Sequence, residues 1–473
     1  MADLLIAGGT VVDATGSRRA DVALSGGLIA AVEERIEPRA GDTVLDASGC
    51  YVAPGLVDIH THLREPGNED AETVMTGARA AALGGYTAVV AMPNTDPPID
   101  SAPLVGHVLA LGRNAPCRVA VAGAITVGRS GERLAPLAEM AAAGARFFTD
   151  DGAGVQDAGL MRRAMEYSRG LGLLLAEHCE EASLHAGGHM HEGSWSGRLG
   201  VGGIPAAAEE VMVARDIALA RLTGARIHFL HLSTAGSVAL VEQAKAEGLP
   251  VTAEVAPHHL VLCDAALGGY DTVFKVNPPL RSASDVEALR AACARGSVDA
   301  VATDHAPHPP QAKDVPLDQA AAGMLGLETA LGIVLRVLWD GYGGADGDSP
   351  GEVPVAARRS RRSRRSRSST AGALVGASAP SLGIADVLGL MSWRPARIAG
   401  LATDQGGDQG GPVAAGMPGN LCVIDPSIAW EVDPSRLASL SRNTPYARWR
   451  FVGRARHTVS AGRAVVIDGE AQC

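Results

Sequence analysis

Through the middle of the chain, short apolar runs alternate with longer amphipathic ones. Eight runs predict strands: Val52–His62, Thr87–Asn94, Arg118–Thr126, Arg146–Asp151, Leu173–Cys179, Arg226–Ser233, Val251–Pro257 and Val298–His305. Apolar positions at helical spacing fill most of the gaps and predict helices over Glu72–Leu83, Ala158–Leu171, Ala206–Leu222, Ser237–Glu247 and Ala283–Arg295. Strands that alternate with helices in this way predict an α/β fold, a (β/α)8 TIM-type barrel over residues 54–400. The competing arrangement is an open doubly wound sheet, but no Gly-rich nucleotide fingerprint follows the first strand.

The two ends read differently. Asp3–Thr10, Asp21–Ser25 and Leu28–Val32 are short strand-like runs separated by Gly8-Gly9 and Gly26-Gly27, which are hairpin signals. Asn420–Ile424, Arg448–Val452, His457–Ser460 and Ala464–Ile467 repeat the pattern near the other end. Together they predict one small β-sandwich domain formed from residues 1–53 and 401–473, a scaffold without chemistry of its own.

In a barrel, functional groups stand at the C-terminal ends of the strands. The metal-competent residues fall there: His60 and His62, Asp150 and Asp151, His178, His231, and Asp304 with His305 and His308. Along an extended chain Asp58, His60 and His62 share one face, and two imidazoles about 6–7 Å apart along the backbone can converge on one ion. The remaining histidines read as structural. His107 and His457 are expected to face solvent, His185, His189 and His191 to lie in a loop, and His228 to point away from the face that carries His231.

Composition narrows the class without changing the fold. A net charge of −11 argues against a general nucleic-acid binder, and 47% hydrophobic with 20% charged residues is ordinary for a globular chain. No run approaches the roughly 20 apolar residues of a membrane span, and the opening residues lack a signal-peptide pattern, so a cytoplasmic location is expected. Seven cysteines form no CxxC pair, so neither a disulfide framework nor a thiolate metal site is indicated. The chain holds three lysines (Lys245, Lys275 and Lys313) against 38 arginines.

Four histidines and two aspartates exceed the three protein ligands usual for a single catalytic zinc. They suffice for two metals about 3.5–4 Å apart. The chemistry expected of such a pair is making or breaking an amide bond with a water-derived hydroxide held between the ions.

Several motifs resemble one family. Asp58-Ile59-His60-Thr61-His62 resembles the first-strand motif of the amidohydrolase superfamily. His60 to Gly67, Met92-Pro93-Asn94-Thr95, Thr149-Asp150-Asp151-Gly152, Glu177-His178-Cys179-Glu180, Val276 to Arg281, Ala302 to His308 and Ser441 to Pro445 resemble, more narrowly, the class I bacterial dihydroorotases. The resemblance implies conversion between N-carbamoyl-L-aspartate and (S)-dihydroorotate in de novo pyrimidine biosynthesis. It implies zinc, one or two ions per subunit with two expected, with His60, His62 and nearby Asp304 on the first and His178 and His231 on the second. Family spacing favours Asp151 over Asp150 as the bridge, a choice that strand alternation alone leaves open. Many superfamily members bridge with a carboxylated lysine; no lysine lies near this position, which weighs against hydantoinase-like and allantoinase-like alternatives.

The resemblance further implies Asp304 as the proton shuttle. Arg64 would anchor the substrate carboxylate, with Asn94 and His308 as companions, His62 beside the substrate, and Asn277, Ala322 and Gly323 touching the ring. It suggests a homo-oligomer and a complex with aspartate transcarbamoylase; a catalytically silent scaffold for that partner is the alternative from another class. Residues 341–381 depart from the family. They form a Gly/Ser/Arg-rich insertion with seven arginines between Arg358 and Arg367, expected to be disordered.

Overall fold

The computed structural model describes residues 3–342 and 381–472, so the arginine-rich run lies outside the described residues. The N-terminal end forms one sheet alone, and both chain ends share a second. One has four strands in the order Leu28–Glu33, Asp21–Ser25, Leu4–Ala7, Thr43–Asp46. The other has seven, in the order Glu470–Ala471, Arg463–Ile467, Arg450–Ser460, Leu421–Glu431, Tyr51–Pro54, Thr10–Asp13, Gly16–Arg19. Period-two alternation along these strands sends Ile6, Val11, Val22, Leu24, Val52, Val423 and Val459 into one shared apolar core.

The single run expected over Val52–His62 is two strands. Tyr51–Pro54 pairs with Leu421–Glu431 in the seven-stranded sheet, and Leu56–Thr61 pairs with Tyr86–Ala91 in the next. Gly55 is the crossing point: a Cβ there would stand 2.0 Å from Thr87 Oγ1, so a side chain would collide with the neighbouring strand. Ser392 Oγ donates to Gly55 O at 2.8 Å and satisfies the buried carbonyl of the crossing.

From Leu56 to Val301 every pairing between strands is parallel among the described residues, and only the isolated Thr126–Leu134 bridge runs antiparallel. Leu56–Thr61, Tyr86–Ala91 and Arg118–Val121 form one ladder; Leu175–Glu177, Ile227–Phe229, Val251–Val255 and Ala300–Val301 form another. Phe148 joins the two by parallel bridges to Gly123 and Leu175, and His305 bridges back to Thr61. Alternate strand residues enter two separate apolar clusters, Val57, Ile59, Val90 and Ala176 in one and Val89, Val121, Leu175 and Phe229 in the other. The strands are therefore buried on both faces, as parallel sheets require.

Helices Ala158–Leu171 and Ala283–Arg295 have the expected bounds. Val74–Leu83, Ala207–Thr223 and Ala235–Ala246 shift only at their ends, where side chains set the start: Thr73 caps the first in a reciprocal box with Thr76, and Thr234 caps the last. No helix among the described residues is long and apolar enough to cross a membrane.

Several expectations need correction. Arg146–Asp151 is not a strand; only Phe148 bridges, because the Asp150 carboxylate takes the Ile125 and Thr126 amides that a longer ladder would use. The expected Val298–His305 strand is Ala300–Val301 alone. His231 (φ 30°) and Asp304 (φ 47°) turn left-handed just beyond their strands, which ends the ladders before these two residues. His457 is buried, not solvent-facing: its Nε2 donates to Asp46 O at 3.2 Å and its Nδ1 accepts from Asp468 N at 3.2 Å. His185 ends a short helix and His191 lies in a two-residue strand, so the stretch between them is not simply loop.

Candidate active site

The site assembles where the parallel strands end. His60 and His62 flank the last residue of Leu56–Thr61, Asp151 follows the Phe148 bridge, His178 follows Leu175–Glu177, His231 follows Ile227–Phe229, and Asp304 follows Ala300–Val301. All six are buried.

Their polar atoms converge. Asp151 Oδ1 lies 3.5 Å from His60 Nε2, 3.4 Å from His231 Nε2 and 3.6 Å from His178 Nδ1. Asp151 Oδ2 lies 3.5 Å from His62 Nε2. Asp304 Oδ1 is 3.1 Å from His62 Nε2 and 3.7 Å from His60 Nε2, and His178 Nδ1 is 2.9 Å from His231 Nε2. Two triads, His60–His62–Asp151 and Asp151–His178–His231, can each hold an ion, and Asp151 belongs to both.

The donor set fits zinc. Around a tetrahedral zinc with bonds of about 2.1 Å, ligand atoms stand about 3.4 Å apart, which is the spacing seen here. His60 Nε2 and Asp151 Oδ1 are buried without a hydrogen-bond partner among the described residues, as metal-facing atoms would be. Asp150 is elsewhere: its oxygens accept from Ile125 N, Thr126 N and Thr126 Oγ1. Asp58, on the His60 strand, accepts from His60 N and Thr303 N and takes no place in the cluster; burial pushes its carboxyl up to about 7.

Behind the cluster stands a carboxylate that no sequence pattern singles out. Glu254, at 0% exposure, accepts from His60 Nδ1 at 2.7 Å and from His228 Nε2 at 3.1 Å. Burial works against its charge, but the two imidazole hydrogen bonds outweigh it and hold the carboxyl down at about 2. This fixes His60 with its proton on Nδ1 and its Nε2 lone pair toward the cluster. His258 and His259 were also unforeseen. They pack ring against ring at 4.3 Å in the turn after Val251–Val255, and burial lowers both.

On the open side of the site, His62 Nδ1 is 2.8 Å from Asn94 Oδ1, and Arg64 Nε donates to Pro307 O at 3.2 Å. Arg64 adopts φ 63°, which turns its side chain back over the strand end. His308 Nε2 donates to Ala322 O at 2.8 Å and lies 3.4 Å from Arg64 Nη2. Burial, with Arg64 adding to it, pushes His308 down to about 3, so it is a neutral donor. Asn443 Nδ2 donates to Ala306 O (3.0 Å) and Gly323 O (3.1 Å), while its Oδ1 accepts from His308 N (3.1 Å). It thereby clamps the two segments carrying His308 and Gly323. Asn277 stands on the His178 side, its Nδ2 3.3 Å from Glu180 Oε1 and 3.5 Å from His178 Nε2.

A family model described as Dihydro-orotase-like matches residues 49–237. Among solved structures, the L-hydantoinase (dihydropyrimidinase) from Arthrobacter aurescens superimposes with a TM-score of 0.82 at 23% identity, covering 100% of this chain and 98% of that one. A dihydropyrimidinase from Brevibacillus agri gives 0.79 at 20% identity over 99% of this chain. The fold is the mixed α/β fold of these enzymes, and its near-full-length dihydroorotase relatives make the chain a cyclic amidohydrolase. The dihydroorotase of Pelotomaculum thermopropionicum is 46% identical over 467 residues, 98% of this chain and 99% of that protein. That of Streptomyces coelicolor is 46% identical over 473 residues, 99% and 100%. The chain belongs to the dihydroorotase family.

Proposed function

We infer that the chain catalyses the reversible ring closure of N-carbamoyl-L-aspartate to (S)-dihydroorotate, the step that forms the pyrimidine ring in de novo synthesis. The observation that carries this is near-full-length similarity to dihydroorotases combined with six converging metal-competent side chains. We read the parallel pairings as a (β/α)8 barrel closed by the Thr61–His305 bridge, spanning 54–400, with the sheets from residues 1–53 and 401–473 as a β-sandwich beside it. The ligands then meet at one mouth of that barrel.

His60 and His62 would hold one zinc ion and His178 and His231 a second, with Asp151 between and Asp304 beside the first. When bound, such ions lower the pKa of water and polarise a carbonyl. Asp304 has its carboxyl held below the usual range: burial opposes this, but the His62 hydrogen bond and the surrounding imidazoles outweigh it. It is therefore ionised, the form a proton acceptor needs, while the same lowering makes it a weaker base. In ring opening, water oxygen adds to the ring carbonyl carbon, Asp304 takes the water proton, the C–N bond breaks, and Asp304 returns the proton to the departing nitrogen. Ring closure runs the same path backward. Arg64 presents a guanidinium fork for the carboxylate common to both compounds. Asn94 and neutral His308 orient around it, and Asn277 with the Ala322–Gly323 backbone edges the ring.

Among the described residues six cysteines are buried outside any disulfide, which supports a cytoplasmic setting. Self-association and a complex with aspartate transcarbamoylase remain part of the proposal, tested by sedimentation and by activity with the partner added. The function itself is tested by assaying the purified chain with carbamoyl-aspartate, dihydroorotate, hydantoin and allantoin. Turnover of the first two alone is expected; preference for hydantoin or allantoin would overturn the assignment.

A further inference from the structure

Lys313 is a buried ammonium beside the site that the reaction above does not use. The chain holds three lysines against 38 arginines, yet two of the three, Lys275 and Lys313, meet here. Lys313 ends the short helix Pro310–Lys313 and is buried. Its Nζ donates to Thr272 O at 3.1 Å, Lys275 O at 3.0 Å and Ala321 O at 2.7 Å. Three acceptors match the three N–H groups of an ammonium. All three are neutral carbonyls, whereas a buried charge is ordinarily paired with an opposite one. Burial, with the Lys275 charge adding to it, lowers Lys313 to about 7, so the charge is kept here at a cost.

The three carbonyls lie on two segments. Thr272 and Lys275 lead into Asn277, and Ala321 leads into Ala322 and Gly323. Other bonds tie the same segments together. Gly323 N donates to Lys275 O at 2.9 Å, Lys275 Nζ donates to Leu317 O at 2.7 Å, and Thr272 Oγ1 donates to Lys313 O. The joined segments press on the site. A Cβ on Gly323 (φ 143°) would stand 2.8 Å from His308 Nε2, and that nitrogen donates to Ala322 O at 2.8 Å. The Lys313 charge reaches His308 as well, adding to burial and Arg64 in holding that imidazole neutral.

In the reading above, Asn277 lies along one edge of the ring and the backbone of Ala322 and Gly323 along another. None of the three residues lies in a helix or strand, so no ladder sets the spacing between them. We propose that Lys313 is a positioning residue whose ammonium staples residues 272–277 to residues 321–323, and so fixes the berth of the ring before substrate arrives. A compact ammonium serves three converging carbonyls where a planar guanidinium does not. That accounts for a lysine here in a chain that uses arginine nearly everywhere else. Lys313 acts through the segments it joins and touches no reacting atom. The inference rests on the dihydroorotase reading.

The test measures KM and kcat for carbamoyl-aspartate and dihydroorotate in the metal-loaded enzyme. Lys313→Met keeps the bulk and removes the charge. KM for both compounds is expected to rise about tenfold, the cost of ordering roughly one residue on binding instead of beforehand, with kcat within about threefold of wild type. Metal content should not change, and Lys313→Arg should show the same rise in KM. In Lys313→Ala, added propylammonium replaces the missing stem and charge and should bring KM back toward wild type, whereas propanol should not. Hydrogen exchange reads the staple without turnover: in Lys313→Met, exchange over residues 312–325 should quicken at least about tenfold, with that around His60 and His178 unchanged. Exchange therefore judges Lys313 even if wild type turned over neither compound, a result that would instead sink the dihydroorotase reading. Wild-type KM values in Lys313→Met or Lys313→Arg, equal rescue by propanol, loss of metal, or unchanged exchange would overturn the proposal.

Discussion

At the scale of single residues, the chemistry depends on where protons sit. In the proposed reaction Asp304, 3.1 Å from His62 Nε2, accepts one from water and returns it to nitrogen. Asp304→Asn removes that capacity while keeping the shape, and kcat for ring opening should fall at least about 100-fold. Steady-state assay with metal content measured in parallel checks this, and wild-type turnover would remove the shuttle from the mechanism. Glu254 acts one layer further out. By holding His60 Nδ1–H it leaves Nε2 free for an ion, and loss of such a partner weakens metal binding about 10–100-fold. Glu254→Gln should show that loss in competition with a chelator, and an unchanged affinity would reduce Glu254 to a packing role. The six side chains that converge were legible in the sequence because each stands at the end of a strand-like run. Glu254 was not, because its two partners belong to other strands, His60 and His228, and no local pattern announces a cross-strand contact.

At the scale of elements, ladders end early and turns carry the function. His231, Asp304 and Arg64 all have positive φ, so period-two alternation predicts strands that run too far at the very residues that matter. Helix bounds fared better, since caps such as Thr73 and Ser282 mark the ends locally. Turns also store titratable groups. Glu328, in the turn before helix Ala330–Leu338, accepts from Ala438 N at 2.8 Å, and burial outweighs that donor to push its carboxyl up to about 7. A raised carboxyl pKa means that the folded state holds the proton more tightly than the unfolded chain. Stability from this group is therefore full below about 4.5 and is lost as pH climbs through about 7. Glu328→Gln should raise stability at pH 8, by up to about 3 kcal/mol, and leave it unchanged at pH 4.5. Denaturant unfolding at the two pH values decides it, and an equal effect at both would contradict the assignment.

At the scale of the whole molecule, residues from position 60 to position 304 meet because parallel strands return to their starting neighbour through Thr61 and His305. That convergence could be anticipated from alternating strand and helix patterns. The crossing at Gly55 could not, since only the collision with Thr87 on another strand reveals why a glycine stands there. Asn443 was readable as part of a motif, but its clamp on Ala306 and Gly323 depends on a chain return that the sequence does not display. If the gathered side chains exist to hold ions that activate water, then metal and activity must appear together. The direct measurement is to strip the protein of metal and add zinc back stepwise, following bound metal and carbamoyl-aspartate cyclisation in the same samples. The account predicts no turnover without metal and activity that rises with occupancy of the His60, His62, His178 and His231 cluster. Full turnover in the stripped protein, or zinc bound in that cluster with no cyclisation, would contradict it.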